Sequence, residues 1–305
     1  MITCNLMGGL GNQLFQIFAI IAYSIQHKNP FVFPYEKLHF ESLGPRQDRP
    51  TYWDSFLYGL KKYTNASGVL TNDTLKQFEI YHCPHEHCTL PSEPENIVFQ
   101  GYFQSYLYFK REYSRIYELL DIETMKTRVD SIPSDGRTTV SIHFRLGDYL
   151  TKQCYHPVLP RGYYERAVRH VLDTVPESEH SLFMVFYEEP DREYVAEVVS
   201  YLRADAPSTV EFCMMEPDED WKQLLMIGKC DHHIIANSTF SWWGACMSRN
   251  RIDEFAKDKV ICYPSVWYGH QLYYICVDTL FPKHWTKIDA SSDHYESICK
   301  CFDST

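Results

Sequence analysis

The sequence predicts an α/β fold in which parallel strands are wrapped on both faces by helices. Three observations carry that prediction. The chain opens on a short apolar run, a glycine cluster and an almost wholly apolar helical stretch, the unit that begins an α/β domain. From about residue 139 onward, short apolar runs alternate with helical stretches, the rhythm of crossovers in a parallel sheet. Between the two regions, Ser131-Ile-Pro-Ser-Asp-Gly136 denies continuation to helix and strand alike. A length of 305 residues suits two domains of roughly 150 residues each. The expected boundaries are 1–130, 131–290 and a tail over 291–305.

In the first half, Ile2 to Met7 reads as a strand, Gly8-Gly-Leu-Gly-Asn12 as a turn and Gln13 to Gln26 as a buried helix. An irregular region rich in Tyr, Pro and His runs from Pro30 to about Pro94, followed by a strand at Ile97 to Phe99 and a helical stretch from about Ser105 to Leu120. In the second half, strands are expected at Thr139 to Phe144, Leu182 to Tyr187, Val210 to Met214, His233 to Ala236 and Val260 to Tyr263. Helices are expected at Arg161 to Val175, opened by Pro160, at Arg192 to Leu202, at Asp218 to Lys229 and from about Ser241. The acidic start of the Asp218 helix suits its dipole.

Lys and Arg total 29 against 40 Asp and Glu, a formal charge of -11. That balance disfavours nucleic acid or an anionic membrane as a partner, since both require a basic face. The 11 cysteines lack an even-spaced framework and read as reduced, mostly buried thiols. The first residues carry no basic cluster, and the apolar stretch Ile17 to Tyr23 falls far short of the ~20 residues that span a bilayer. A soluble, cytoplasmic protein is therefore expected. The acceptor patterns at Asn65, Asn72 and Asn237 read as chance or as serving another purpose.

In parallel sheets, ligands sit beyond the carboxyl ends of strands. The strand Thr139 to Phe144 places Val140, Ile142 and Phe144 on one face and Ser141, His143 and Arg145 on the other. Arg145 then stands at the strand's end before a glycine turn, with Asp148 placed to hold its guanidinium. An arginine fork there suits a diphosphate; a structural Arg–Asp pair closing a turn is the other reading. After the strand ending at Ala236, Asn237, Ser238, Thr239 and Ser241 cluster where a helix begins. They form either an anion cradle at a helix N-terminus or an ordinary cap.

Three further patterns have competing readings. Asp218-Glu-Asp220 has the form that metal-dependent transferases use, but it opens a helix, where capping and dipole compensation account for it; Asp218 also suits a ligand edge with paired N–H donors. His82-Cys83-Pro-His85-Glu-His87-Cys88 offers zinc-ligand types, but densely packed and without the second cluster of most structural sites, so it also reads as an exposed irregular loop. Gly9-x-Gly11 before a helix lacks the third glycine of a dinucleotide fingerprint, because position 14 is Leu, and Glu36 is the nearest acidic residue downstream. Stacking on a bound ligand is open to Tyr102, Phe103 and Tyr106, although aromatic residues more often fill cores.

Five motifs, in order, resemble the series of glycosyltransferase family 11, the α-1,2-fucosyltransferases. They are Gly8-Gly-Leu-Gly-Asn-Gln-Leu-Phe-Gln16, Phe99-Gln-Gly-Tyr-Phe-Gln-Ser105, His143-Phe-Arg-Leu-Gly-Asp-Tyr149, His156-Pro-Val-Leu-Pro160 with Tyr163-Tyr164, and Asn237 to Gly244. The resemblance implies a GT-B-like fold, with two Rossmann-like α/β domains and the donor cleft between them. It also implies a GDP-β-L-fucose donor, inverting transfer without a metal or other cofactor, and a galactose-containing acceptor glycan reacting at O2. The N-terminal domain would serve the acceptor and the C-terminal domain the GDP-sugar. Arg145, Asp148 and His143 become the candidate catalytic residues. Arg145, His143, Asn237, Ser238, Thr239, Ser241, Asp218, Gly11 and Asn12 become donor-binding candidates, and Gln13, Tyr102 and Gln104 acceptor-binding ones. In related fucosyltransferases the motif histidine faces the guanine, and Asn12 would approach the acceptor or fucose. Two departures stand out: Leu146 replaces the family's usual second arginine, and Tyr187-Glu-Glu189 replaces Ser-Asp-Asp. A non-catalytic sugar or nucleotide-sugar binder on the same fold is the alternative that those departures suggest, and a nucleotide-dependent oxidoreductase is the other.

Overall fold

A parallel strand covered on both faces buries every residue it carries, and β1 (Ile2–Cys4) is buried along its whole length, the polar Thr3 included. The computed structural model describes residues 1–35, 50–65, 70, 77–92, 96–130, 132–133, 135–175, 180–252 and 259–291. Glu36, Asn72 and the tail beyond residue 291 lie outside the described residues, as do Ser131 and Ser134. The chain forms two compact units, one built chiefly on Met1–Arg128 and the other on Val129–Ser248; Cys276–Pro282 belongs to the first.

In the first unit, β2 (Glu79–His82) and β3 (Ile97–Gln100) join β1 in a parallel sheet of order β1-β3-β2. Ile97 pairs with Ile2 on one side and Glu79 on the other. The sequence does not announce β2, because this edge strand is mostly exposed and carries no apolar alternation. Helix α1 (Leu10–His27) begins inside the expected turn, with Gly9 as its N-cap. Gly8 is left-handed, at φ 76°, and a Cβ there would lie 2.5 Å from the Asn12 side chain. The expected 105–120 helix divides. A tight turn at Tyr106–Tyr108 is capped by Ser105, whose hydroxyl accepts the Leu107 N–H at 3.3 Å. Two short helices follow, α2 (Tyr113–Leu119) and α3 (Ile122–Thr127). Rings of α1 pack on this segment, with Phe18 meeting Phe109 edge-on at 5.4 Å.

The second unit holds six parallel strands: β4 (Thr138–His143), β5 (Ser181–Phe186), β6 (Glu211–Met214), β7 (His232–Ile234), β8 (Ile261–Pro264) and β9 (Thr286–Ile288). Their spatial order is β6-β5-β4-β7-β8-β9. Counted from the first strand of the unit this is 3-2-1-4-5-6, the doubly wound order. The edge strand β9 was not legible, since no helical spacer announces it. The helices are α4 (Arg161–Thr174), α5 (Arg192–Asp205), α6 (Asp220–Ile227) and α7 (Thr239–Cys246). Val140, Ile142 and Phe144 join one core cluster with Tyr163, Val171, Val195 and Leu202 of α4 and α5. On the opposite face, Met184 of β5 meets the Cys230 thiol at 3.8 Å.

Of the nine described cysteines, Cys4, Cys230, Cys246 and Cys262 are buried; Cys83, Cys88 and Cys154 are half-buried, and Cys213 and Cys276 exposed. All nine are free thiols, but the expectation that most are buried holds for fewer than half. Among the described residues, no helix is long and apolar enough to cross a membrane.

The contact of α6 with α7 depends on Gly244, where a Cβ would fall 2.5 Å from Cγ2 of Ile227 and 2.9 Å from its Cβ. Overpacking of this kind costs about 1–3 kcal/mol. Gly244→Ala is therefore expected to lower the urea midpoint, and Ile227→Ala to restore part of the loss in the double variant. Additive losses would refute the close contact.

Candidate functional site

The switch point of the doubly wound order lies between β4 and β7, whose chains leave toward opposite edges of the sheet. A crevice opens outside the carboxyl ends at such a point. The two strands are adjacent and parallel, with Ile142 opposite Ile234. His143 ends β4 and Arg145 follows it, while Asn237 to Ser241 follow β7. The two segments meet: the His143 and Phe240 rings lie 5.3 Å apart, and the Tyr149 hydroxyl donates to the Asn237 carbonyl at 3.2 Å. The Arg145 guanidinium sits 5.0 Å from the centre of the Tyr149 ring.

Arg145 is mostly buried and forms close ion pairs with Asp148 through Nη2 and with Glu188 through Nη1. Lys152 reaches the other Asp148 oxygen at 3.2 Å. Leu146, where the family usually places a second cation, is buried in the same cluster as Val140 and Tyr164. A side chain committed to the core cannot serve a ligand. Gly147 is left-handed, at φ 45°, and a Cβ there would lie 2.8 Å from Glu188 Oε2. Its N–H donates to the Asp191 carboxylate, at 3.1 Å to Oδ2. Burial raises the Asp191 pKa, opposed by the Gly147 hydrogen bond and by Arg145.

The His143 imidazole is buried and its Nδ1 has no hydrogen-bond partner. Burial, reinforced by the Arg145 charge, pushes its pKa down to about 3. The ring is therefore neutral at ordinary pH and too weak a base to draw a proton from a hydroxyl. It suits a hydrogen bond to a bound group.

At the start of α7 the four polar side chains divide their work. Ser238 is the N-cap and accepts the Phe240 N–H at 3.3 Å. Buried Ser241 donates to the Ser238 carbonyl at 3.3 Å. Buried Asn237 donates to the Pro157 and Trp267 carbonyls at 2.9 and 3.3 Å, leaving its Oδ1 unpaired. Thr239, in the first turn, stays half-buried. Three of the four thus hold the turn itself.

Asp218 follows β6, at the far edge of the sheet from β7. Helix α6 starts at Asp220 rather than Asp218, and its N-cap Glu219 makes no side-chain cap bond. Asp218 instead accepts the Glu219 N–H at 2.7 Å and pairs with Lys222 at 3.3 Å, contacts that hold its pKa below the ordinary value.

In the first unit, candidate residues gather beyond the carboxyl ends of β1 and β3. The Gln104 amide donates to Asn12 Oδ1 at 3.0 Å. Gln13 is buried, donates to the Gly8 and Pro50 carbonyls at 3.0 and 2.8 Å, and keeps an unpaired Oε1. Gly11 is buried in the first turn of α1. Half-buried Tyr102 stacks on His85. Phe103 and Tyr106 are buried, which removes both from the stacking candidates. Phe103 also has φ 53°, an outlier for a bulky residue; it turns the chain between Tyr102 and Gln104, and no sequence signal announces it. The Cys83 and Cys88 sulfurs lie 3.6 Å apart beside the Tyr108 hydroxyl. Among the described residues, no three His, Cys, Asp or Glu side chains converge as a metal would require.

Fold and site together define a doubly wound α/β protein with an ion-paired arginine at its switch point. The chain belongs to glycosyl transferase family 11, whose family profile matches residues 1–257. It is 30% identical over 138 residues to the Escherichia coli O-antigen biosynthesis glycosyltransferase WbnK, a match spanning 44% of this chain and only 41% of that protein. It is 24% identical over 260 residues to an Escherichia coli alpha-1,2-colitosyltransferase, covering 80% of this chain and 86% of that one. Among solved structures, a mutant of Arabidopsis thaliana FUT1 with GDP is similar at a TM-score of 0.45 and 11% identity, over 81% of this chain and 68% of that one. POFUT1 with GDP-fucose is similar at a TM-score of 0.41 and 13% identity, over 86% and 97%.

The depressed His143 pKa has a consequence for stability. As pH falls below the ordinary value of 6.5, the unfolded chain binds this proton first and the folded protein resists it until about pH 3. Stability is therefore lost across that window, at about 1.4 kcal/mol per pH unit from this group. His143→Gln is expected to flatten the pH dependence of urea unfolding between pH 6 and 4, roughly the span where only the unfolded histidine is charged. An unchanged slope would contradict the burial argument.

Proposed function

We propose that the chain is an inverting, metal-independent glycosyltransferase that moves L-fucose from GDP-β-L-fucose to O2 of a β-galactoside, forming an α-1,2 linkage. The observation that carries this reading is the placement of Arg145 and the first turn of α7 on either side of one switch point. Transfer through an oxocarbenium-like state builds negative charge on the departing GDP, and fixed donors that meet this charge lower the barrier. Arg145 supplies the full positive charge, and the α7 N-terminus supplies a partial one. Lys152 and Asp148 hold the guanidinium in register. Neutral His143 offers a hydrogen bond to the nucleotide. In a dissociative reaction the acceptor proton leaves late, so leaving-group stabilisation dominates over general-base strength. Gln13, Tyr102 and Gln104 of the first unit form the acceptor-side set, with a galactose-containing glycan as partner; Asn12, bonded to Gln104, stays with Gly11 on the donor side.

Colitosyl transfer is the second reading, favoured by similarity to an alpha-1,2-colitosyltransferase over four-fifths of the chain. Assays with GDP-linked fucose and GDP-linked colitose on simple β-galactosides, with linkage analysis of the product, separate the two. GDP-sugar binding without turnover on any galactoside would support a non-catalytic binder.

Arg145→Ala is expected to lower kcat by about 100-fold or more, the scale for removing a principal transition-state charge partner. Retention of more than about a tenth of wild-type kcat would exclude a phosphate role for it. Activity is expected to survive EDTA, and its loss with recovery on adding a divalent cation would overturn the metal-independent mechanism.

A further inference from the structure

Arg145 already has an anion on each terminal nitrogen, and the two partners differ in kind. Asp148 lies three residues along its own loop and is shared with Lys152. Glu188 comes from a different element, the turn after β5, and its side chain is half-exposed. That turn is anchored without the Glu188 side chain. The Asp191 N–H donates to the Glu188 carbonyl at 2.8 Å, and the Asp191 carboxylate accepts the Gly147 N–H. Glu188 can therefore rotate away from Arg145 with no change in backbone. The neighbouring Glu189 is committed elsewhere, to Arg192 at 2.8 Å, and Arg192 also binds Glu216 at 2.7 Å. Gly147 completes the arrangement, since any side chain there would meet both Glu188 and the Arg145 guanidinium.

We propose that Glu188 is a place-holding counter-ion for the donor diphosphate, occupying Arg145 Nη1 in the empty site and exchanging with a phosphate oxygen when the nucleotide binds. This rests on the reading of Arg145 as the diphosphate ligand. The exchange explains how a mostly buried guanidinium stays compensated between turnovers in a chain of net charge -11. The chemistry at Nη1 is the same in both states: a charge-assisted hydrogen bond to an anionic oxygen. Asp148 remains on Nη2 throughout and keeps the fork oriented. Because the nucleotide must displace Glu188, the residue weakens donor binding without touching the transition state, so it sets KM rather than kcat.

Calorimetric titration of GDP into the wild type, Glu188→Gln, Glu189→Gln and Arg145→Ala tests the exchange, with steady-state kinetics on the first three. Glu188→Gln is expected to lower the GDP dissociation constant and the donor KM together, by roughly two- to fivefold, the range for releasing a half-exposed ion pair, with kcat unchanged. Glu189→Gln is expected to bind GDP like the wild type. Raised salt is expected to narrow the gap between wild type and Glu188→Gln, because salt weakens the competing pair. Unchanged or weaker GDP binding in Glu188→Gln, with binding lost in Arg145→Ala, overturns the counter-ion role alone. Wild-type GDP affinity in Arg145→Ala overturns both the role and the donor-site reading beneath it.

Discussion

A guanidinium held just beyond the end of a central parallel strand is the constraint around which the second unit is arranged. Arg145 emerges from β4 at the switch point, mostly out of water, where an uncompensated charge is costly. Its surroundings answer that cost from several directions. Asp148 and Glu188 pair with it, and the Tyr149 ring lies under it. Left-handed Gly147 clears the space in which those groups meet. These partners come from two elements, the β4 loop and the β5 turn, and Tyr149 ties the β4 loop to the β7 segment.

The same constraint accounts for the departures from the family pattern. Leu146 is a core residue here and brings no second charge to the site. The glutamate at position 188 faces a single guanidinium, that of Arg145. Glu189 turns to Arg192 instead. The two adjacent carboxylates thus have separate partners, a division invisible in the dipeptide.

The first unit shows a different economy. Its candidate residues are amides: Asn12 and Gln104 bond each other, and Gln13 bridges the strand-to-helix turn. Gln13 keeps an unmatched acceptor, its Oε1. Between Tyr102, which stacks on His85, and Gln104 the Phe103 backbone is left-handed, and strain of this kind persists where surrounding structure enforces it.

Strand-and-helix alternation in the second half was legible because each buried parallel strand must be continuously apolar and each crossover helix amphipathic, patterns that survive in one dimension. The face assignment of Val140, Ile142 and Phe144 followed from the two-residue strand period alone. Edge strands β2 and β9 escaped, since an edge needs little apolar surface. The start of α1 was misplaced by three residues, because glycines read as a turn when helix packing draws them into the first turn. What tertiary structure alone decided were the partners of charges and amides. Ser241 and Asn237 look like ligand groups in sequence but hold their own turn in space, and Glu188 meets Arg145 across 43 residues of chain. Hydrophobic periodicity is a local property of the backbone's geometry, whereas electrostatic pairing depends on distance through space, which only the folded sheet order determines.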